Sequence, residues 1–376
     1  MAALWATSAY PHYAGRTVYT LAGVWDFSYS PTYNASATTS LAAFSFNSTQ
    51  VVPGAWDAAW GTGLQYARGV GAYRTSVTVP VGHPSSLHFL ACSLFCRVYV
   101  DGQLLHNHTL GGFTPFWVDV PADHAVGERE VVVLTSNTFS RTLTPTQMQY
   151  YDFYQYGGLI RDVAMHILPE AGLPALQRVE VVPLATAGGR PSGSVNVTVV
   201  LRPDGRARPS RSVRLTLRWD GGAGTTSAEH PVAKDGRVVL PGLSVPNATI
   251  WDPPSNPAVV PRMALHTLTV RVGAARSDAA DETDAADETD ASGDGDAITV
   301  RFGLRVVSTA GREIRLNGEA VKLKGFNRHD MYPLLGPTLS LAQYEADLTQ
   351  LQLELHANFL RGSHYPQVSQ TYLLTD

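Results

Sequence analysis

The sequence predicts a mostly β, multidomain protein: two consecutive β-sandwiches and then a parallel β-α-β unit. Three observations carry this. Short alternating or apolar runs recur through the first 300 residues, 33 glycines and 24 prolines punctuate them, and after Thr309 the apolar period lengthens to that of a helix. A chain of 376 residues at ~100–200 residues per domain has room for two or three domains.

In the first block, strands are expected at Arg74–Pro80, Leu87–Leu90, Arg97–Val100, Glu130–Thr135 and Val163–Leu168. Asp101-Gly102 after RVYV predicts a tight hairpin turn. Strands at this spacing fit a sandwich or jelly roll better than a parallel α/β sheet. A second strand-rich block runs from about Gly172 to Val307 with VNVTVVLR, SVRLTLRW and GRVVLP, and its size fits an immunoglobulin-like sandwich. Its last two runs, HTLTVRV and AITVRFGLR, read as the arms of one hairpin. Between them, residues 273–297 hold nine acidic residues, one arginine and a tandem AADETD repeat. That composition self-repels and has nothing to bury, which predicts a disordered insert at a hairpin tip.

After Thr309, Val321–Gly325 and Asn358–Leu360 are expected as short strands flanking a helix. Ser340 with Gln343 forms a capping-box pattern, and Leu341, Tyr344, Leu348, Leu351 and Leu355 mark one apolar face. Strand, helix, strand predicts parallel strands with a right-handed crossover, and Gln367–Asp376 begins like a further helix. A complete (β/α)₈ barrel takes ~250 residues, so this last unit is expected to be an incomplete one. Asn327, Arg328, His329 and Asp330 are expected after the first of these strands, and Arg361 and His364 after the second. Carboxyl ends of parallel strands are where sites form.

Composition excludes other classes. The net charge is −4 with no basic stripe, which argues against nucleic-acid binding. No run of ~20 apolar residues suits a spanning helix, and the first 15 residues lack the pattern of a secretory signal. Cys92 and Cys96 have no further ligands at zinc spacing, and no metal or cofactor is expected. Trp25, Trp56, Trp117 and Trp251 are expected in sandwich cores, while His12, His83, His106, His108, His124 and His230 are placed in loops without a role. Five of the ten asparagines begin N-x-S/T triplets, Asn34, Asn47, Asn107, Asn196 and Asn247, a hint of a secretory route.

Seven stretches occur in a telling order: LAGVWDF (Leu21–Phe27), VPGAW (Val52–Trp56), GAYRTSV (Gly71–Val77), GGFTPF (Gly111–Phe116), DFYQYGGLIRDV (Asp152–Val163), LNGEAVKLKGFNRHDMYPLLG (Leu316–Gly336) and NFLRGSHYP (Asn358–Pro366). With these the chain resembles the amino-terminal part of glycoside hydrolase family 2, nearest its β-glucuronidase and β-galactosidase members. The resemblance implies a jelly-roll sugar-binding domain over residues 1–170, an immunoglobulin-like sandwich over 171–308 and the start of a TIM-barrel catalytic domain over 309–376. It implies a retaining hydrolase of β-linked glycosides, for which two carboxylates stand ~5–5.5 Å apart. The family's acid/base and nucleophile are expected beyond the strands present, so no catalytic carboxylate is assigned here. The same resemblance places Asp152, His329, Arg361 and His364 against the sugar, and leaves open homo-oligomerisation through the accessory domains. A non-catalytic carbohydrate-binding or assembly module is the alternative.

Overall fold

A computed structural model describes residues 11–31, 41–58, 63–109, 111–120, 127–139, 153–170, 173–203, 212–222, 224–252, 264–274 and 295–368. Ten strands of the first block are β1 (Thr17–Thr20), β2 (Gly23–Ser30), β3 (Ser48–Val52), β4 (Val70–Val79), β5 (Ser85–Phe89), β6 (Phe95–Val100), β7 (Gln103–His108), β8 (Phe116–Val120), β9 (Gly127–Ser136) and β10 (Val163–Ile167). They form a six-stranded antiparallel sheet ordered β3-β2-β4-β9-β6-β7 and a four-stranded one ordered β1-β10-β5-β8. Alternate side chains of the two sheets meet in a single core. Trp25, Phe27, Tyr73, Val98 and Val131 come from one side, and Leu87, Phe89, Val118 and Met165 from the other. The Asp101-Gly102 turn has φ of 47° and 78°, the conformation that this dipeptide supplies to a two-residue hairpin.

Two of the motif glycines are explained by one side chain. Trp56 of VPGAW lies so close to Gly71 and Gly157 that a Cβ at either would come within 2.8 Å and 2.5 Å of the indole. Its Nε1 donates to Thr135 Oγ1 at 3.3 Å. The neighbouring Asp57 is fully buried and accepts from Asn137 Nδ2 (2.7 Å) and Gly157 N (3.0 Å). Burial pushes its carboxyl up to about 6, against the lowering effect of those donors.

The second block contains β11 (Leu176–Ala185), β12 (Pro191–Leu201), β13 (Ser212–Trp219), β14 (Gly224–Pro231), β15 (Arg237–Ser244), β16 (Leu265–Ala274) and β17 (Asp296–Gly303). Sheets β11-β12-β15 and β14-β13-β16-β17 enclose a separate core that includes Val197, Val199, Leu215, Trp219, Val270 and Ile298. The expected hairpin is present, with β16 and β17 paired from Leu265↔Gly303 to Val272↔Asp296. Most of the acidic insert, 275–294, lies outside the described residues.

The two sandwiches are clasped by a buried ion pair. Arg16, just before β1, meets Asp296 at the start of β17 through two bonds, Nε–Oδ1 at 2.9 Å and Nη2–Oδ2 at 2.6 Å, and both side chains are 0 % exposed. Asp296 also accepts from the Leu176 N–H at 2.6 Å, and Arg16 reaches the Leu176 carbonyl. A strap at His12 pairs antiparallel with Thr299 on β17. Arg202 at the end of β12 completes the junction, binding Asp119 and Ser86 and covering the Trp117 ring at 5.0 Å. Trp117 is therefore half-buried and capped by guanidinium and by His88, which stacks on it at 3.8 Å, rather than lying in a core. Trp25, Trp56 and Trp251 are buried as expected.

Beyond the junction come β18 (Val307–Ala310), β19 (Glu313–Leu316), β20 (Glu319–Ala320), β21 (Gly325–Arg328), α1 (Leu341–Thr349) and β22 (Phe359–Gly362). The parallel pairing is present, β21 to β22 from Gly325↔Phe359 to Arg328↔Gly362. Its strands begin later than the sequence suggests: Gly325–Arg328 replaces Val321–Gly325, and Phe359–Gly362 replaces Asn358–Leu360. Asn358 instead caps the pair, accepting from Lys324 N at 2.7 Å and donating to the Lys322 carbonyl at 3.1 Å. The expected helix face is also corrected. The α-helix stops at Thr349 and a π-type turn follows over Gln350–Glu354, so Leu355 falls outside the stripe. Tyr344 is buried, while Leu341 and Leu355 are exposed. His106, His108 and His230 sit on β7 and β14, not in loops. Cys92 and Cys96 are free, buried thiols.

Two predictions follow from the junction. Replacing Asp296 with Ala strands Arg16 without its partner and is expected to cost ~3–5 kcal/mol by denaturant titration. His166 is 2 % exposed at the same junction, and burial, with the nearby His88, Arg16 and Arg202, lowers its pKa to about 2. An unfolded histidine binds a proton near pH ~6.5 where the folded one stays neutral. Its stabilising effect is thus complete above that pH and is lost on acidification. The stability gap between the wild type and His166→Phe is expected to close as pH falls from 7 to 4.

Candidate active-site rim

Ser340 fixes where α1 starts: its Oγ accepts from Gln343 N at 3.4 Å, and Gln343 Oε1 accepts from Ser340 N at 2.8 Å. That start places Tyr344 and Asp347, three residues apart, on the side facing Arg328 of β21. The Arg328 guanidinium donates to Asp347 Oδ2 at 2.6 Å, binds Asp330 and lies 4.9 Å over the Tyr344 ring. Burial alone would lower the Arg328 pKa, but the Asp347 hydrogen bond and the charges of both aspartates hold it above the ordinary value. Asp330, 2 % exposed, is shared: Arg161 of the first sandwich comes within 3.8 Å of its Oδ2, and Val368 N donates to the same oxygen at 3.3 Å. Arg161 itself holds the Phe113 and Pro366 carbonyls at 2.8 and 2.7 Å. Phe113 stacks on Tyr365 at 3.8 Å, and Tyr365 Oη accepts from Asp330 N at 2.9 Å. GGFTPF, YGGLIR, GFNRHD and RGSHYP thus meet at one joint.

Above this buried joint lies the rim. Asn327 and Arg361 occupy the same register on β21 and β22, and Arg361 Nη1 donates to Asn327 Oδ1 at 3.3 Å and Ser363 Oγ at 3.2 Å. Asn327, Arg328 and Arg361 therefore lie within their strands, not after them. A one-residue slip of register would turn each side chain to the opposite face of the sheet. His329 and His364 do follow the strands, and their rings meet edge to face at 5.4 Å. Phe153, reaching over from the first sandwich, stands 4.7 Å from His329, 6.2 Å from His364 and 5.4 Å from Tyr365. Arg361 and His364 are exposed, and His329 is half-buried. Of the four expected site residues, His329 and His364 thus meet directly, while Arg361 lies on the same strand pair and bonds Asn327 and Ser363. The fourth, Asp152, lies outside the described residues, immediately before Phe153.

The sequence reading does not single out Phe153, Arg161 or Tyr365, and it treats Arg328 and Asp330 as rim residues when both are buried beneath it. An arginine inside the apolar run of YGGLIRDV is the one available signal, since a buried guanidinium requires a partner. Among the described residues, no group of three or more His, Cys, Asp or Glu is placed to hold a metal ion, and no helix is long and apolar enough to cross a membrane.

Residues 307–376 match the description "Glycosyl hydrolases family 2, TIM barrel domain". A β-glucuronidase from Homo sapiens is 24 % identical over 328 residues, which cover 81 % of this chain and 43 % of that protein. A β-galactosidase from Thermoanaerobacterium thermosulfurigenes is 24 % identical over 287 residues, covering 75 % of this chain and 36 % of that one. The chain therefore spans less than half the length of these curated relatives. Among solved structures, a GH2 β-galacturonidase from Eisenbergiella tayi bound to galacturonate superimposes with a TM-score of 0.72 at 22 % identity, over 96 % of this chain and 56 % of that one. A β-glucuronidase from Ruminococcus gnavus gives 0.71 at 22 % identity, over 98 % and 59 %. At that identity the likeness speaks for the fold. Residues 307–376 thus match glycosyl hydrolases family 2, a structure of that family shares the fold across the rest, and the chain is similar to its members.

Proposed function

We propose that this chain contributes the accessory domains and part of the substrate rim of a retaining β-glycoside hydrolase, with glucuronides and galactosides as the candidate substrates. In this reading residues 1–170 form a jelly-roll sugar-binding domain, 171–308 an immunoglobulin-like sandwich and 309–376 the opening of a (β/α)₈ barrel. The observation that carries it is the meeting of His329 and His364 with Phe153 just after two parallel strands, the second of which carries Arg361 near its carboxyl end. Arg361 offers a permanently charged planar donor, held by Asn327 and Ser363, to a substrate oxygen or a catalytic carboxylate. His329 and His364 line the sugar, and Asp152 accepts its hydroxyls; the position of its neighbour Phe153 against both histidines supports that placement. No cofactor or metal enters the proposed chemistry.

Retention requires a nucleophile and an acid/base ~5–5.5 Å apart. Asp330 and Asp347, the carboxylates beneath the rim, are both taken by arginine and are positioning residues here. The catalytic pair is assigned to residues outside those described.

In protein that carries the catalytic pair, Arg361→Ala is expected to lower kcat/KM on a fluorogenic β-glucuronide or β-galactoside by ~10²-fold or more while leaving the melting temperature unchanged. Asp330→Ala, by contrast, is expected to lose ~3–5 kcal/mol of stability and activity together, since it removes the buried carboxylate that Arg328 and Arg161 share. Full activity in the Arg361 variant would place the sugar elsewhere. The 376-residue polypeptide assayed alone is expected to stay dark on both substrates. Turnover that disappears on Arg361→Ala would instead favour a carboxylate pair within this chain.

A further inference from the structure

The fold sorts the asparagines by use. The four described ones outside N-x-S/T triplets are structural. Asn137 donates to Asp57 (2.7 Å) and the Ala67 carbonyl (2.9 Å), and Asn317 donates to the Trp251 carbonyl (2.9 Å). Asn358 caps the parallel strands, and Asn327 receives Arg361. Within the triplets, Asn47, Asn107 and Asn247 have no bond on Nδ2 among the described residues and are exposed, as Asn327 and Asn358 are. Asn47 immediately precedes β3 and Asn107 lies in β7, the two outermost strands at opposite edges of the six-stranded sheet. The contact of Asn107 with Arg97 Nε (3.4 Å) engages its Oδ1, not its Nδ2. Asn247 sits in the turn after β15 with φ of 50°, and Thr249 Oγ1 of its own triplet donates to its carbonyl at 3.2 Å. Asn196 differs: it is half-buried on β12, the central strand of its sheet, and accepts from Gly242 N at 2.9 Å where the pairing with β15 is irregular.

An open strand edge presents unpaired N–H and C=O groups to any other chain. Both edges of this sheet also carry exposed apolar side chains, Val51 at 57 % on β3 and Leu104 at 46 % on β7. A covalently bound oligosaccharide is bulky and solubilising, and a folded sheet accommodates one only where Nδ2 faces solvent.

We propose that Asn47, Asn107 and Asn247 carry N-linked glycans, and that the first two shield the open edges of the six-stranded sheet. The transfer joins each Nδ2 to C1 of the reducing-end sugar of a polyprenyl-diphosphate oligosaccharide. The Nδ2–C1 bond forms, the C1–O bond to the diphosphate breaks, polyprenyl diphosphate leaves with the electron pair, and the amide gives up one proton to a base. Asn196 stays unmodified because it is half-buried on the central strand of its sheet, where a bulky oligosaccharide has the least room.

The test routes the full chain through the secretory pathway of a eukaryotic host and releases glycans with peptide-N-glycosidase in heavy-oxygen water. Peptide mass spectrometry is expected to find the heavy-oxygen label at positions 47, 107 and 247 and none at 196. Label at 196, or none at 47 and 107, overturns the assignment. Light scattering then reads the edge role: the Asn47→Gln/Asn107→Gln variant is expected to self-associate as concentration rises, while Asn247→Gln behaves as wild type. Where the double variant fails to fold, folded wild-type protein stripped of glycans under native conditions replaces it, with the same association expected. Equal behaviour with and without the edge glycans overturns the shielding role.

Discussion

The rim depends on one buried carboxylate. Asp330 lies in the loop after β21, and its two oxygens are divided between Arg328 on one side and Arg161 with the Val368 N–H on the other. A single charge desolvated among apolar residues would be costly. Shared between two guanidiniums and further balanced by Asp347, it becomes part of a neutral network of two arginines and two aspartates. Each arm ends on a different element: Asp347 on the helix, Arg161 on the first sandwich, and Tyr365 and Val368 on the segment after β22. The carboxylate therefore sets the position of β21, of the loop after β22 and of the first sandwich relative to one another. His329 and His364 approach each other and Phe153 because the charges beneath them are satisfied in one arrangement.

A second buried pair works at longer range. Arg16–Asp296 links the segment before β1 to β17, so the sandwich that delivers Phe153 and Arg161 is anchored to the sandwich that leads into β21. The aromatic cluster around it explains why two histidines are held neutral. His88 and His166 face Trp117, Tyr13, Arg16 and Arg202, and burial first, then His88 in the case of His166, and then the neighbouring guanidiniums drive their pKa values down to about 3 and about 2. A further positive charge there would meet two fixed ones with only Asp296 and Asp119 to offset them. The junction is therefore built for the neutral imidazoles.

Much of this was legible in the residues. Alternation and turn chemistry located the sandwich strands, because a strand with one buried face must place apolar side chains at every second position. The Asp101-Gly102 turn, the hairpin that flanks the acidic insert and the Ser340 capping box each follow from chemistry within a few residues. The parallel order of β21 and β22 follows from strand, helix, strand. Arg361, His329 and His364 were identifiable through the family motifs, and the triplets at Asn47, Asn107 and Asn247 through three-residue patterns.

Tertiary structure alone decided what those residues meet. The β21 boundary moved from Val321 to Gly325 because Asn358, 34 positions away, occupies the Lys324 backbone and sets where pairing begins. Trp117 left the core because Arg202 and His88 arrive from other strands to cover it. Arg328 and Asp330 look like rim residues in sequence, yet they are buried, since their partners Arg161 and Asp347 lie on a sandwich and a helix that no local pattern connects to them. Burial and ion pairing are properties of the assembled surfaces. The sequence by itself determined which side chains were available and the period on which they face. Which of them became the buried charge network and which were left at the surface was settled only when the two sandwiches and the parallel strands closed around Asp330.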